Sequence, residues 1–153
     1  MNIEENLKNH QIELEDASTP AGNYVPYIIT NKLVFISGQL PFKQGKIPIT
    51  GIVGETVSSE DAIEMAKLCA LALISQLKSA CDGDLNKVSR VVKLGGFVAS
   101  TSSFTSQPTV INGASDIMVK VFGEQGKHSR FAVGVSSLPL NAPVEIEGIF
   151  ELK

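Results

Sequence analysis

A one-sided apolar stripe between residues 58 and 83 limits most strongly what this chain can fold into. Its members recur at i, i+3, i+4 and i+7 spacing and are Ala62, Met65, Ala66, Cys69, Ala72, Leu73, Gln76, Leu77 and Ala80. This spacing predicts an α-helix that buries one face. Ser58 or Ser59 can cap its N-terminus, and Gly83 can end it. Such a helix needs a second layer against which the stripe can pack.

The rest of the chain predicts a sheet as that layer. Strands are indicated in "YVPYIITNKLVFISGQLP", as a pair joined by a turn at Asn31–Lys32, and in "KVSRVVKLGGFVAS", "RFAVGV" and "VEIEGIFEL". A second helix is predicted to begin near Ser106, with Pro108 in its first turn, and to end at Gly123. The stretch before residue 23 predicts a short helix followed by a loop, and "PFKQGKIPITGIVGET" predicts a loop with a short extended piece.

The order of these elements, roughly β-β-(β)-α-β-α-β-β, indicates an α+β fold. Two helices cover only one face of a sheet of five to six strands. We expect the uncovered face to carry Ala132 and Gly134 on one strand, and Ile149 among glutamates on another. A surface that is apolar in patches and charged between them predicts packing against copies of the same chain, and therefore a homo-oligomer.

The two closing strands carry permanent charges, and strand alternation sorts them onto faces. In the first strand the bulky residues Phe131, Val133 and Val135 are expected to face the helices, and Arg130, Ala132 and Gly134 to face away. In the last strand one face consists of Val144, Ile146, Gly148 and Phe150, and the other of Glu145, Glu147, Ile149 and Glu151. The pattern thus predicts Arg130 and Glu145 on the uncovered face, where subunits meet and a cleft can form.

A partly buried guanidinium at Arg130 requires an anionic partner, because it stays charged at any accessible pH. That partner is either a bound anion or Glu145 in an ion pair between subunits. Alternatively, Arg130 is not buried, and both side chains point into solvent at the strand ends. The spacing alone leaves these alternatives open.

Composition excludes several classes of function. The net charge of −3 without a basic cluster gives no footprint for nucleic acid, and no apolar run reaches membrane length. Cys69 and Cys81 lie too far apart along one helix to form a disulfide, so we expect both to be reduced core thiols. The length of the chain predicts a single domain over residues 1–153. We expect this domain to be cytoplasmic. With only His10 and His128 added, the chain offers no metal-ligand set, and no cofactor is expected. His128 is expected to be an exposed loop histidine.

Three segments, "FISGQLP", "GFVASTSSFTSQPTVINGA" and "SRFAVGVSSLPLNAPVEIEGI", occur in an order and spacing that resembles the RidA (YjgF-like) family of reactive-intermediate deaminases. The resemblance covers about residues 18–152 and leaves residues 1–17 as an N-terminal extension. It implies a chorismate-mutase-like α+β fold that assembles as a homotrimer with three clefts between subunits. It also implies hydrolysis of enamines and imines, of the 2-aminoacrylate type, to 2-keto acids and ammonia without a cofactor.

By the same resemblance, Arg130 would clamp the substrate carboxylate and Glu145 would orient water. The positions that match cleft-lining residues of the family are Tyr24, Ser37, Gly38, Asn112 and the backbone at Ala132. Ala132 stands where the family commonly has a cysteine, and "GKHS" stands where it commonly has a proline. By the resemblance, the alternative for His128 is therefore a place near the cleft. The alternative function is a trimeric carboxylate-binding or regulatory module without catalysis, for which Glu145 would be dispensable. Ribonuclease action is disfavoured by the acidic balance of the chain.

Overall fold

The computed structural model describes residues 2–153, in which three α-helices accompany one five-stranded sheet. The helices are α1 (Ile3–Asn9), α2 (Ser59–Ala80) and α3 (Gln107–Phe122). The strands are β1 (Tyr27–Thr30), β2 (Leu33–Gln39), β3 (Val88–Ala99), β4 (Ser129–Val135) and β5 (Val144–Leu152). Short 3₁₀ turns lie at Leu85–Lys87, Gly123–Gly126 and Pro139–Asn141.

The strands are arranged in the order β1-β2-β5-β3-β4. All neighbouring pairs are antiparallel except β3 and β4, which run parallel because α3 crosses between them. The predicted α+β class, with five strands in a mixed sheet, is therefore confirmed. The third early strand in the predicted order does not form. Within residues 41–57 the backbone makes only isolated bridges, among them those of Val53 with Val57 and with Ser100.

Helix α2 provides the centre of the core, as its stripe predicts. Ser58 is the N-cap, and its Oγ accepts a hydrogen bond from the Asp61 amide at 3.1 Å. Beyond the C-terminus, Gly83 has a φ of +88°, and its amide donates to the Lys78 carbonyl at 2.8 Å. Leu73 is fully buried in a core that also contains side chains of α3 and the sheet. Each large apolar side chain buried in this way contributes about 1.5–3 kcal/mol.

The N-terminal segment packs on this core through α1, which confirms the short helix predicted there. Ile3 and Leu7 are buried, and the Asn6 side chain donates to the Val121 carbonyl at 2.9 Å. Cys69 and Cys81 are both buried and unpaired with each other, as expected. Within residues 2–153 the structure contains no helix that combines the length and the apolar character needed to span a membrane.

The faces of β4 are the reverse of those predicted. Phe131 lies on the uncovered face, where its ring is 5.3 Å from that of Phe97 in an edge-on arrangement. Ala132 instead packs against the core. A Cβ added at Gly134 would lie 2.8 Å from the side chain of Gln107 in α3. The reason is that α3 passes close over this edge strand, so the small residues make room for the helix and the bulky ones take the open side.

The uncovered face is nevertheless apolar in patches, as the sequence predicts. Its apolar members, identified from the register of the strands, include Ile28, Phe35, Phe97, Phe131, Val133, Val135 and Ile149. Of these, Ile28 is 55%, Phe35 39% and Val133 42% exposed in the single chain. The expectation for Ile149 is confirmed, whereas that for Ala132 and Gly134 is wrong. An apolar sheet face of this kind is typical of a surface that packs against another molecule.

Candidate active site

The predicted site residues fall into two groups, one on each side of the sheet, and the structure adds Pro108, Ser115 and His128 to the first group. The arginine group consists of Arg130 on β4 with Pro108, Asn112 and Ser115 on α3 and His128 before β4, and the Ala132 backbone lies beside it. The glutamate group consists of Glu145 on β5 with Ser37 and Gly38 on β2, and the nearby loop carries Tyr24. The two groups have different geometry and electrostatics.

Arg130 is half-buried and is held by α3. Its Nη1 donates to Ser115 Oγ at 3.0 Å, and its Nη2 donates to the Pro108 carbonyl at 3.1 Å. The spacing from Pro108 through Asn112 to Ser115 is i, i+4, i+7, which places the three on one face of the helix. Asn112 is exposed on that face between the two contacts. Both acceptors of the guanidinium are neutral, so its charge is not balanced by them.

No carboxylate balances that charge within the part of the chain that the structure describes. The salt bridges found in residues 2–153 all join a lysine to an acidic residue and do not involve Arg130. They are Lys67–Glu64, Lys78–Glu4, Lys87–Asp82 and Lys127–Glu124. Two of the five guanidinium N–H groups of Arg130 are used by α3. Three donors on a positively charged, half-buried group thus remain available to an anion.

His128 extends this group, and the expectation of an exposed loop histidine is wrong. The ring is half-buried, with Nε2 2.9 Å from Ser115 Oγ and Nδ1 2.6 Å from the Gly126 carbonyl oxygen. Burial lowers the pKa of His128, the nearby Arg130 charge lowers it further, and only the contact with Gly126 opposes this. Ser115 was not predicted from the sequence, although its helical spacing from Pro108 was a usable signal, and a place for His128 near the cleft was only the alternative.

Glu145 is half-buried on the uncovered face, where it lies across the backbone of Gly38. A Cβ added at Gly38 would overlap the Glu145 Oε1 and lie 3.1 Å from its Cδ. Only glycine therefore leaves room for this carboxylate, and Gly38 sits in an irregular stretch of β2 between Ile36 and Gln39 where the pairing with β5 shifts register. Burial raises the pKa of Glu145, and the neighbouring Glu147 charge raises it further.

Ser37 connects the glutamate group to the loop before β1. Its Oγ donates to the Val25 carbonyl at 3.0 Å, and its amide donates to the Pro26 carbonyl at 2.9 Å. Tyr24 lies in that loop and is 55% exposed. Its ring packs over Gly22, where an added Cβ would be 3.0 Å away. Ser37 thus fixes the loop that carries Tyr24 next to the strand that carries Gly38.

Arg130 and Glu145 lie on opposite sides of the sheet in one chain. Arg130 pairs with Leu94, which is fully buried under the helices, whereas Glu145 pairs with Phe97 on the uncovered face. The prediction that the two charges share a face is therefore wrong, and the cause is the reversed orientation of β4. A site that contains both side chains needs a second copy of the chain.

The two most pronounced concavities of the single chain lie away from both groups. These surface concavities are lined by the N-terminal segment and α2, including Leu14 and Lys78, and neither Arg130 nor Glu145 lines them. Among the described residues, no three His, Cys, Asp or Glu side chains are placed to hold a metal ion. The chemistry that these groups can perform is anion binding at Arg130 and proton transfer at Glu145.

Comparison with known proteins gives one family. Residues 4–151 match the family model described as "YjgF/chorismate_mutase-like, putative endoribonuclease". Protein TCP17 of Trypanosoma cruzi is 45% identical over 148 residues, which is 96% of this chain and 92% of TCP17. The chloroplastic Reactive Intermediate Deaminase A of Arabidopsis thaliana is 33% identical over 147 residues, which is 95% of this chain and 67% of that protein. The crystal structure of Atu1372 from Agrobacterium tumefaciens is 48% identical, with a TM-score of 0.92 and coverage of 99% of this chain and 92% of Atu1372.

Proposed function

The chain belongs to the YjgF/chorismate-mutase-like family, and from this membership and the geometry of the two groups we propose that it hydrolyses reactive enamines and imines of the 2-aminoacrylate type to 2-keto acids and ammonia. The resemblance to RidA proteins and the chorismate-mutase-like fold are both confirmed by the family match. The name of the Arabidopsis relative supports a deaminase, because that protein is called a reactive intermediate deaminase.

The observation that carries the proposal is the state of Arg130. A half-buried guanidinium that two neutral acceptors hold in place, with no acid partner among residues 2–153, is stabilised by an anion. A substrate carboxylate fits the requirement, since a planar guanidinium binds it through two parallel charge-assisted hydrogen bonds. That contact holds the adjacent C=N carbon at a fixed distance and so lowers the entropic cost of bringing water to it.

Glu145 supplies the proton transfers in this proposal. The enamine first tautomerises to the imine, and a water oxygen then bonds to the C=N carbon while Glu145 accepts a proton from that water. The same carboxyl returns that proton to nitrogen, which gives a carbon that carries a hydroxyl and an amino group. Glu145 then takes the hydroxyl proton and delivers it to the amino nitrogen, the C–N bond breaks, and ammonia leaves as the remaining oxygen becomes the carbonyl of the keto acid. A pKa raised by burial suits a group that must both accept and donate a proton, a role worth about 10²–10⁴ in rate.

The complete site combines the arginine group of one copy with the glutamate group of its neighbour in a homotrimer. Two features support this arrangement. Arg130 and Glu145 lie on opposite sides of the sheet within one chain, and the face that carries Glu145 is apolar and exposed. Packing of that face against a neighbour buries Val133 and Phe35 and encloses Glu145 in a cleft. The number of three subunits follows from the family resemblance.

The test is the release of pyruvate from 2-aminoacrylate, which a pyridoxal-phosphate-dependent dehydratase forms from serine in the same cuvette. The wild-type protein is expected to accelerate pyruvate formation beyond the spontaneous rate. Arg130→Lys keeps the charge but loses the paired N–H groups, and Glu145→Gln keeps the shape but loses the proton acceptor, so both are expected to lose the acceleration. Arg90→Ala, which removes the exposed arginine of β3, is the control and should keep it.

Equal pyruvate rates for wild type and Arg130→Lys would contradict the proposed deaminase. Calorimetry with a keto acid separates the alternative function. If Glu145→Gln binds the keto acid as tightly as wild type and wild type accelerates no imine hydrolysis, the chain is a carboxylate-binding module.

A further inference from the structure

The orientation of the His128 ring is determined by its contact with the Gly126 carbonyl. That oxygen only accepts hydrogen bonds, and it lies 2.6 Å from Nδ1, so Nδ1 carries the proton. A neutral ring with this tautomer has a lone pair on Nε2. The lowered pKa of His128, caused first by burial and then by the Arg130 charge, keeps the ring neutral at physiological pH.

The Ser115 hydroxyl connects this ring to the guanidinium. Its oxygen lies 2.9 Å from the His128 Nε2 and 3.0 Å from the Arg130 Nη1. Because Nε2 is an acceptor in this tautomer, the hydroxyl proton points to it, and the oxygen lone pairs are left for Arg130. The three hydrogen bonds then run in one direction, from Arg130 to Ser115, from Ser115 to His128, and from His128 to Gly126. In each of these three hydrogen bonds, the donor meets an acceptor.

The consequence lies at the guanidinium. Ser115 holds Nη1, and the Pro108 carbonyl holds Nη2, so rotation about the Nε–Cζ bond would break at least one hydrogen bond. The guanidinium plane is therefore fixed relative to α3. The free N–H groups, one on each terminal nitrogen and one on Nε, are presented in one orientation. A two-point contact with a carboxylate depends on that orientation.

We propose that His128 is a positioning residue, which acts through Ser115 to fix the plane in which Arg130 presents its free N–H groups. The identification of a carboxylate as the anion bound by Arg130 rests on the proposed function, whereas the positioning of the guanidinium by His128 does not. His128 touches neither this anion nor the reacting atoms. Its replacement should weaken substrate binding and leave the chemical step nearly unchanged.

The first measurement is nitrogen NMR on the free protein, which needs no activity. The His128 ring is expected to show the Nδ1-protonated tautomer, with the exposed His10 as an internal reference in the same spectrum. Rotation of the Arg130 guanidinium should be slow in wild type. It should become about tenfold faster in His128→Gln and in Ser115→Ala, as expected for the loss of one hydrogen bond to a charged group. Ser115→Thr keeps the hydroxyl and should keep slow rotation.

The second measurement is kinetic, with the imine substrate of the proposed function. His128→Gln and Ser115→Ala should raise KM about tenfold with kcat within about twofold of wild type, and Ser115→Thr should restore KM. His10→Gln, which replaces the exposed histidine at the end of α1, is the control and should change neither parameter.

The outcomes separate the two proposals. Guanidinium rotation that is unchanged in His128→Gln, or an Nε2-protonated ring in wild type, would overturn the positioning role whatever the activity. Slow rotation in wild type that becomes fast in both variants supports the positioning role, even if the wild-type protein hydrolyses no imine. In that last case it is the deaminase proposal that fails.

Discussion

Mixed oligomers of two inactive variants test directly whether one site takes its residues from two copies. The variants are Arg130→Ala, which keeps the glutamate group, and Glu145→Gln, which keeps the arginine group. Each pure variant should lose about 10²-fold or more in rate. A pure variant has no complete site, because every copy lacks the same side chain. In one chain the two side chains lie on opposite sides of the sheet. A mixed oligomer therefore completes a site wherever an intact arginine group of one variant faces an intact glutamate group of the other.

The expected gain follows from the geometry of a closed ring. Each arginine group faces one glutamate group of the next subunit, and every interface is equivalent. In a random mixture of equal amounts, half of the arginine groups are intact and half of the facing glutamate groups are intact. About one quarter of the sites are then complete, so the mixture should recover about one quarter of the wild-type rate. This fraction is the same for any ring size and therefore does not depend on the number of three subunits.

The assay is unfolding of the mixed variants in denaturant, refolding by dilution, and measurement of pyruvate release from 2-aminoacrylate. Native mass spectrometry confirms that mixed oligomers have formed, since the two variants differ in mass. Wild-type protein taken through the same cycle gives the reference rate, and each variant refolded alone gives the baseline. Mixed oligomers whose rate equals that baseline would refute a shared site and would require Arg130 and Glu145 to act without each other.

Four further predictions follow from individual contacts. Gly38→Ala should lower kcat with little change in stability, because the new methyl group displaces only the flexible end of Glu145, and urea unfolding measures the stability. Glu145→Gln should be more stable than wild type at pH 7 and equal to it below about pH 4.5, since the raised pKa of Glu145 means that stability is lost as the pH rises through it. Val133→Asp should release monomers in sedimentation without unfolding them, because Val133 is 42% exposed in the single chain. Cys69, whose pKa is raised by complete burial, should react with thiol reagents only as fast as the protein unfolds.

Local patterns were sufficient to predict the positions of the elements. The stripe from Ala62 to Ala80 and the cap at Ser58 are properties of one helix and its ends, and the structure contains that helix. The faces of β5 were also predicted correctly, since Val144 and Ile146 are buried and Glu145 is not. In these cases the interaction that decides the structure lies within a few residues of the pattern.

The faces of β4 could not be predicted, because alternation separates two faces without saying which one meets the helices. Residue size suggested that Phe131 and Val133 face inward. The helix that crosses from β3 to β4 reverses this, since it lies close to the face of the strand that carries Ala132 and Gly134. The decisive contact joins residues far apart along the chain, and for that reason the link from Ser115 to His128 was missed as well.

The adjacent glycines of β3 show how the two sides of the sheet are shaped together. A Cβ at Gly96 would lie 2.6 Å from Ile111 of α3, so this glycine lets the helix come close on one side. A Cβ at Gly95 would lie 2.7 Å from the ring of Phe131 and 2.8 Å from Glu147 Cγ, so Gly95 leaves room for these bulky side chains on the other side of the sheet. The same close approach of α3 that brings Ser115 within reach of Arg130 turns Phe131 onto the uncovered face. Formation of the arginine group and exposure of an apolar surface are therefore two results of one packing arrangement. In the proposed assembly that surface is covered by the neighbouring subunit, whose arginine group completes the site with Glu145.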